Sequence, residues 1–218
     1  MRRRGAGSTT TGVHMAETKQ DVQQRFDANL GRVAALVALY RTAAAGRGRP
    51  AVAEADVLRA GVVLLHASLE DLLRSVAELL LPARPADVFA NWSIGLPSNP
   101  GKGIPKLSLE ELLEFRGKQV EDVLAIAIQQ RLEHSTYNNF REVARAALEV
   151  GLDAAPLRPF QPDLDAMMKR RHHIAHRADR NSETGRGQHI AVHLADATVE
   201  TWMAAVQGAG GVLLAQVP

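Results

Sequence analysis

Between Val52 and Leu81 the chain carries an apolar pattern that only a well-covered helix satisfies. Leu58, Val62, Leu65, Leu69, Leu72, Val76 and Leu79 recur at alternating intervals of four and three residues over three heptads. That spacing returns each side chain to one face of an α-helix. Val63, Leu64, Leu73 and Leu80 widen the stripe, so the pattern predicts the central helix of a bundle rather than an exposed zipper. A second periodic segment precedes it, from about Glu17 to Ala45. There Phe26, Leu30, Val33, Val37 and Tyr40 keep the same alternation. Gly46-Arg47-Gly48-Arg49-Pro50 ends that run, because glycine caps a helix and proline cannot continue its hydrogen-bond ladder.

Beyond these two helices the punctuation changes. Five of the ten prolines (Pro82, Pro85, Pro97, Pro100, Pro105) fall between Pro82 and Pro105, together with Gly95, Gly101 and Gly103. This predicts a loop insertion over about 82–107, with a short helical turn around Ala86–Trp92. Gly101-Lys102-Gly103 lacks the surrounding residues of a phosphate loop. Ser108-Leu109-Glu110-Glu111 reads as a capping box opening a short helix to about Phe115. Further helices are predicted at about Val120–His134, Asn138–Val150, Pro162–Arg180 and Asp196–Val206, the last ended by the breaker Gly208-Ala209-Gly210-Gly211. His189–Leu194 alternates briefly, as an extended segment would. With no internal repeat and no convincing sheet, the expected fold is all-α. It forms one domain over 15–218, preceded at 1–14 by a disordered basic tail, with Met15 as a second possible start.

Composition removes whole classes of function. Cysteine is absent, which excludes disulfides, thiolate nucleophiles, zinc fingers and iron–sulfur ligation. No apolar run approaches the roughly 18 residues of a membrane span, and the first residues lack the apolar centre of a secretory signal; a soluble, cytoplasmic protein is expected. The formal charge is +2, yet Arg2, Arg3 and Arg4 precede every acid, so residues 15–218 hold 23 basic and 24 acidic groups. A global basic coat for nucleic acid is therefore excluded, and any such contact must come from a local cluster.

Such a cluster lies in residues 162–180, PDLDAMMKRRHHIAHRADR. Leu164, Met167, Met168, Ile174, Ala175 and Ala178 form the apolar face. Arg171 falls on that stripe, one heptad after Leu164, and a buried guanidinium requires an anionic partner or an opening into a cleft. Beside it, Asp165, Lys169, His172, His176 and Asp179 form a wholly polar stripe. Arg171 and His176 are five residues apart, about 140° around an ideal helix, so they do not share a face. A long arginine can still reach the histidine edge. Such a pair suits one phosphate: the guanidinium grips its oxygens in a fork while the imidazole moves a proton near neutral pH. Lys169, Arg170, Arg177, Arg180 and Arg186 surround the pair. His172 and His176 are also spaced as a helical metal clip, with Asp179 nearby, so a metal-dependent hydrolase on these three residues is an alternative. His66 reads as a core or interface histidine, and His134, His189 and His193 as surface or structural ones.

At these residues the chain resembles the HEPN superfamily. Arg171-His172-His173-Ile174-Ala175-His176 fits its R-x4-6-H motif, and Leu64–Arg74, with Glu70 and Asp71, resembles the second helix, where an acidic residue often faces the motif. Arg171–Arg180 followed by Ile190–Trp202 is most similar to the RiboL-PSP branch. The resemblance implies a HEPN-like helical bundle and metal-independent cleavage of RNA, with no cofactor, at a composite site in a homodimer. It implies His176 as general base or acid and Arg171 as the phosphate ligand. His172 would be an orienting polar group, Glu70 or Asp71 the supporting carboxylate, and Lys169, Arg170, Arg177 and Arg180 the RNA contacts. It also implies a toxin or antiviral setting, with an antitoxin or defence partner. A non-catalytic HEPN scaffold binding RNA or a protein is the other reading of the same residues. The tyrosine that nucleotidyl-modified members carry two residues after the histidine is here Ala178, so that regulation is not expected.

Overall fold

A computed structural model describes residues 17–45, 52–89, 113, 115–180 and 191–218. Within them lie six α-helices: α1 (Lys19–Ala44), α2 (Val52–Leu80), α3 (Val120–Glu133), α4 (Phe140–Glu149), α5 (Gln161–Arg177) and α6 (Asp196–Gln216). Short 3-10 turns cover Leu81–Ala83, Ala86–Phe89 and Ala155–Phe160. Among the described residues there is no strand, only an isolated antiparallel bridge between Arg180 and Ala191. The fold is all-α, as the periodicity predicts. The basic tail, most of the loop insertion and nearly all of the short helix expected before Phe115 fall outside the described residues.

The α1 stripe goes inward at every position: Phe26, Leu30, Val33, Val37 and Tyr40 are all buried, with Val22 continuing the face. Thr18 and Asp21 cap its start reciprocally, each side chain bonding the other's backbone N–H, which satisfies donors the first turn cannot pair. On α2, Leu58, Val62, Leu65, Leu69, Leu72 and Val76 are buried, as are Leu73 and Ala77. Each fully buried Leu or Val contributes about 2 kcal/mol relative to exposure, so these two helices form the base of the core. They run antiparallel, since Arg25 on α1 meets Asp71 at 3.0 Å while Gly61 faces Val33.

Two expectations fail at α6. It does not stop at Val206 but continues to Gln216, straight through Gly208-Ala209-Gly210-Gly211. A methyl at Gly208 would collide with the Phe160 ring, and one at Gly210 with Phe26 and, at 2.9 Å, with Leu72. The glycines are there for close packing, and burial of the helix outweighs their poor intrinsic propensity. Asp196 is not the cap but the first helical residue, after Ala195. Arg41 on α1 holds it at 2.6 Å and holds Glu200 at 2.7 Å. At the far end, Lys19 Nζ donates to the Val217 carbonyl at 2.5 Å, joining the start of α1 to the end of α6.

Candidate active site on the motif helix

The 3-10 turn Ala155–Phe160 runs directly into α5, with proline in the first turn of the helix, where its missing N–H leaves nothing unpaired. Leu164, Met167 and Met168 are fully buried and seat α5 in the core. Asp165 accepts from the Phe140 backbone N–H at 2.7 Å and so anchors α5 to α4. One turn beyond the buried residues, Arg171 is half-buried, while His172, Ala175 and His176 are exposed. The His172 and His176 rings lie 4.6 Å apart, and those of His172 and His173 6.4 Å apart. The structure therefore brings the two expected histidines together on one outer face. It sets Arg171 at the boundary with the core, where it makes no hydrogen bond or ion pair to another described residue.

Helix α2 passes antiparallel to α5 and supplies the wall beside Arg171. His66 is 1% exposed. Its Nε2–H donates to the Tyr137 carbonyl at 2.9 Å, which leaves Nδ1 as the unprotonated nitrogen of the neutral ring. That Nδ1 has no hydrogen-bond partner and stands 3.8 Å from Glu70 Oε1. Burial pushes His66 below the ordinary histidine range; the Tyr137 carbonyl and Glu70 oppose this, while the charges of Arg171 and Arg74 add to it. Glu70 is also 3.5 Å from Arg74, whose guanidinium donates to the carbonyls of Leu132 and Ser135. Of the two candidate carboxylates, Glu70 thus belongs to the cluster that faces the motif helix. Asp71 does not: it is turned to α1 and held by Arg25.

The end of α5 departs most from expectation. The helix stops at Arg177, and Ala178 and Asp179 follow in the left-handed region, at φ 46° and 54°. Left-handed backbone costs a non-glycine residue roughly 1–2 kcal/mol, so the surroundings must impose it. They do so through Asp179, whose carboxylate turns inward and is 1% exposed. Its Oδ2 accepts from Arg59 Nε and from Arg170 Nη2, both at 2.7 Å. Both guanidiniums also donate to the Val192 carbonyl, and the Val192 N–H donates back to the Asp179 carbonyl at 2.9 Å. One carboxylate thereby ties α2, α5 and the segment at Val192 together. Asp179 is consequently not on the His172–His176 face and cannot complete a metal clip there; among the described residues no group of three His, Asp or Glu side chains is placed to hold a metal ion. Arg170, expected to contact RNA, has its Nη2 committed to this internal knot. Lys169, Arg177 and Arg180 remain exposed, and Arg186 lies outside the described residues.

The model of the RiboL-PSP-HEPN family matches residues 36–193. The chain belongs to that family. The matched span holds α2 to α5, including Glu70, Arg171 and His176, and ends before α6. Neither a curated protein nor a solved structure matches the chain. Membership of the HEPN family supports a nucleotide-related role. Among the described residues of this HEPN chain, no helix is long and apolar enough to cross a membrane.

Sequence reasoning missed Arg59. It lies one heptad before His66, on the flank of α2 that faces α5, and an arginine within so apolar a run was a signal that a buried acid awaited it. His173 was also passed over, because it sits inside the motif without belonging to either stripe.

Proposed function

We propose that this HEPN chain is a metal-independent endoribonuclease. The observation that carries the proposal is a half-buried arginine with no hydrogen-bond or ion-pair partner among the described residues, set on the same helix as a pair of exposed, touching imidazoles. A buried-edge guanidinium without an acid demands an anion from outside, and a phosphate diester supplies one. In the reaction, Arg171 grips the non-bridging oxygens of the scissile phosphate and stabilises the charge that grows on them. His176 takes the proton from the ribose 2′-OH, which attacks the adjacent phosphorus. A second proton, delivered to the 5′-oxygen, releases the downstream strand. The products are a 2′,3′-cyclic phosphate and a 5′-hydroxyl. His172, beside His176, orients it or serves as the second proton donor. Because the nucleophile belongs to the substrate, DNA is not cut.

The exposed face of α5 leaves room for a second copy to bring its own motif helix alongside, forming a composite site in a homodimer. Lys169, Arg177 and Arg180 extend the positive surface that the strand follows. Glu70 acts through His66 and Arg74 to shape the wall behind Arg171. Our reading places this activity in a cytoplasmic toxin or antiviral role with a neutralising partner, a setting that the family resemblance suggests. The test is cleavage of RNA by purified protein in EDTA, beside Arg171→Ala and His176→Ala, with DNA as control. RNA-only cleavage lost in both variants is expected. Activity surviving in both would sink the mechanism, and no cleavage of any RNA would favour a binding scaffold.

A further inference from the structure

His176 occupies the least secure place on its helix. It belongs to the last turn of α5, where the final carbonyls have no partner further along the helix and the backbone opens readily. Chemistry on a phosphate tolerates little such movement: a misplacement of about 1 Å can cost about a hundredfold in rate. The residues that flank the motif hold this turn closed. Arg170 directly precedes Arg171, and Asp179 follows His176 by three positions. Their side chains meet at 2.7 Å. Nine residues of continuous helix would set them about 13 Å apart along the axis, beyond the reach of that bond. It forms because the left-handed pair Ala178-Asp179 folds the chain back. The Asp179 N–H then donates to the carbonyl of His173, inside the motif, at 3.1 Å. From α2, the helix that walls Arg171, Arg59 holds the same carboxylate oxygen. The two ends of the motif are thus fixed to each other and to that wall.

Stability alone is a poor account of this cluster. Three charged side chains are largely withdrawn from water, and Arg170 Nε and Asp179 Oδ1 are left buried without a hydrogen-bond partner, each carrying a desolvation cost that nothing offsets. Well-packed apolar side chains would secure the helix as firmly. What the ions add is direction, because charge-assisted bonds are short and fix the groups that make them. We propose that Arg59, Arg170 and Asp179 are positioning residues, a clamp across the motif that keeps Arg171 and His176 at one separation. The clamp's effect on rate rests on the ribonuclease reading above; its effect on the last turn of α5 does not.

Two arms test it on the full chain. The first is amide hydrogen exchange without RNA, read residue by residue. In Asp179→Asn, exchange of Ala175, His176 and Arg177 should quicken about tenfold or more, while Leu164 and Met168 on the same helix change far less. A merely structural loss would quicken both groups together. Arg170→Met, which leaves the Arg59–Asp179 pair in place, is the second variant should the first misfold. It should quicken the same three amides, and Arg170→Lys, which keeps a donor for Asp179, should restore them at least in part. An Arg170 that only contacts RNA would leave exchange in the free protein untouched. In the second arm, kcat for RNA cleavage should fall about tenfold or more in Asp179→Asn with KM unchanged, since a carboxylate that is 1% exposed cannot touch the strand. Last-turn exchange that stays at the wild-type rate, or that rises only in step with Leu164 and Met168, overturns the clamp, as does an unchanged kcat beside a loosened turn. Should the wild type cut no RNA, the ribonuclease reading fails alone, and the exchange arm still decides whether these residues hold the motif.

Discussion

His66 is kept neutral by its position: Nε2–H bonded to a carbonyl, Nδ1 buried, two guanidiniums near. Its folded pKa lies below the unfolded value of about 6.5, so on acidification the unfolded chain takes up the proton first. The stability that depends on His66 is therefore full above about pH 6.5 and declines as pH falls toward the folded pKa. His66→Gln keeps an N–H for the Tyr137 carbonyl and has nothing to titrate. Urea unfolding at pH 7.5 and 5.5 should show a smaller loss on acidification in the variant than in the wild type; equal losses would remove His66 from the account. A second single-residue prediction concerns Ala178. Glycine adopts φ 46° without strain, so Ala178→Gly should raise stability by about 1 kcal/mol, read as a higher urea midpoint. Asp179 shows where residue-level reading of the sequence stopped. Helical periodicity places it on the exposed histidine stripe, but the helix ends two residues earlier, and the left-handed turn rotates it into the core. Nothing local in Ala178-Asp179 announces such a turn; Arg170 on the same helix and the buried Arg59, far away in the chain, together demand it.

At the level of elements, the periodic helices were legible because their faces are decided by burial alone. The α1 stripe and most of the α2 stripe are buried residue for residue as the spacing predicts. The motif helix was legible for the same reason, together with its dense cluster of histidines. The end of α6 was not, because glycine reads as a breaker locally and as a close-packing residue only once Phe160 and Phe26 are known to lie against it. Gly210→Ala should therefore cost about 1–3 kcal/mol, the ordinary penalty of overpacking a core. Gly211→Ala, which meets no atom within 4 Å, should instead gain up to about 1 kcal/mol from better helix propensity. Thermal melts of the two variants, moving in opposite directions, would check both. The Arg59–Asp179–Arg170 knot joins three elements, so Asp179→Ala should destabilise by about 3 kcal/mol. That is the low end for breaking a buried pair, since Asp56 and the Val192 carbonyl still hold Arg59.

For the whole molecule, the helices outside the family-matched span matter as much as those within it. Phe26, on the early half of α1, and Leu213, on the late half of α6, are both buried in the common core. A fragment cut to residues 36–193 should thus fail to fold cooperatively, seen as loss of a sigmoidal thermal transition and exposure of apolar surface to a hydrophobic dye.

The Lys19–Val217 bond gives that architecture a further property. The start of α1 and the end of α6 lie side by side there, although they are far apart in sequence. A short flexible bridge between those ends, with the chain reopened between α1 and α2, would preserve every buried contact described above. Such a permuted protein would present the motif helix in the same surroundings while moving the break in the chain from beside Lys19 and Val217 to the connection between α1 and α2.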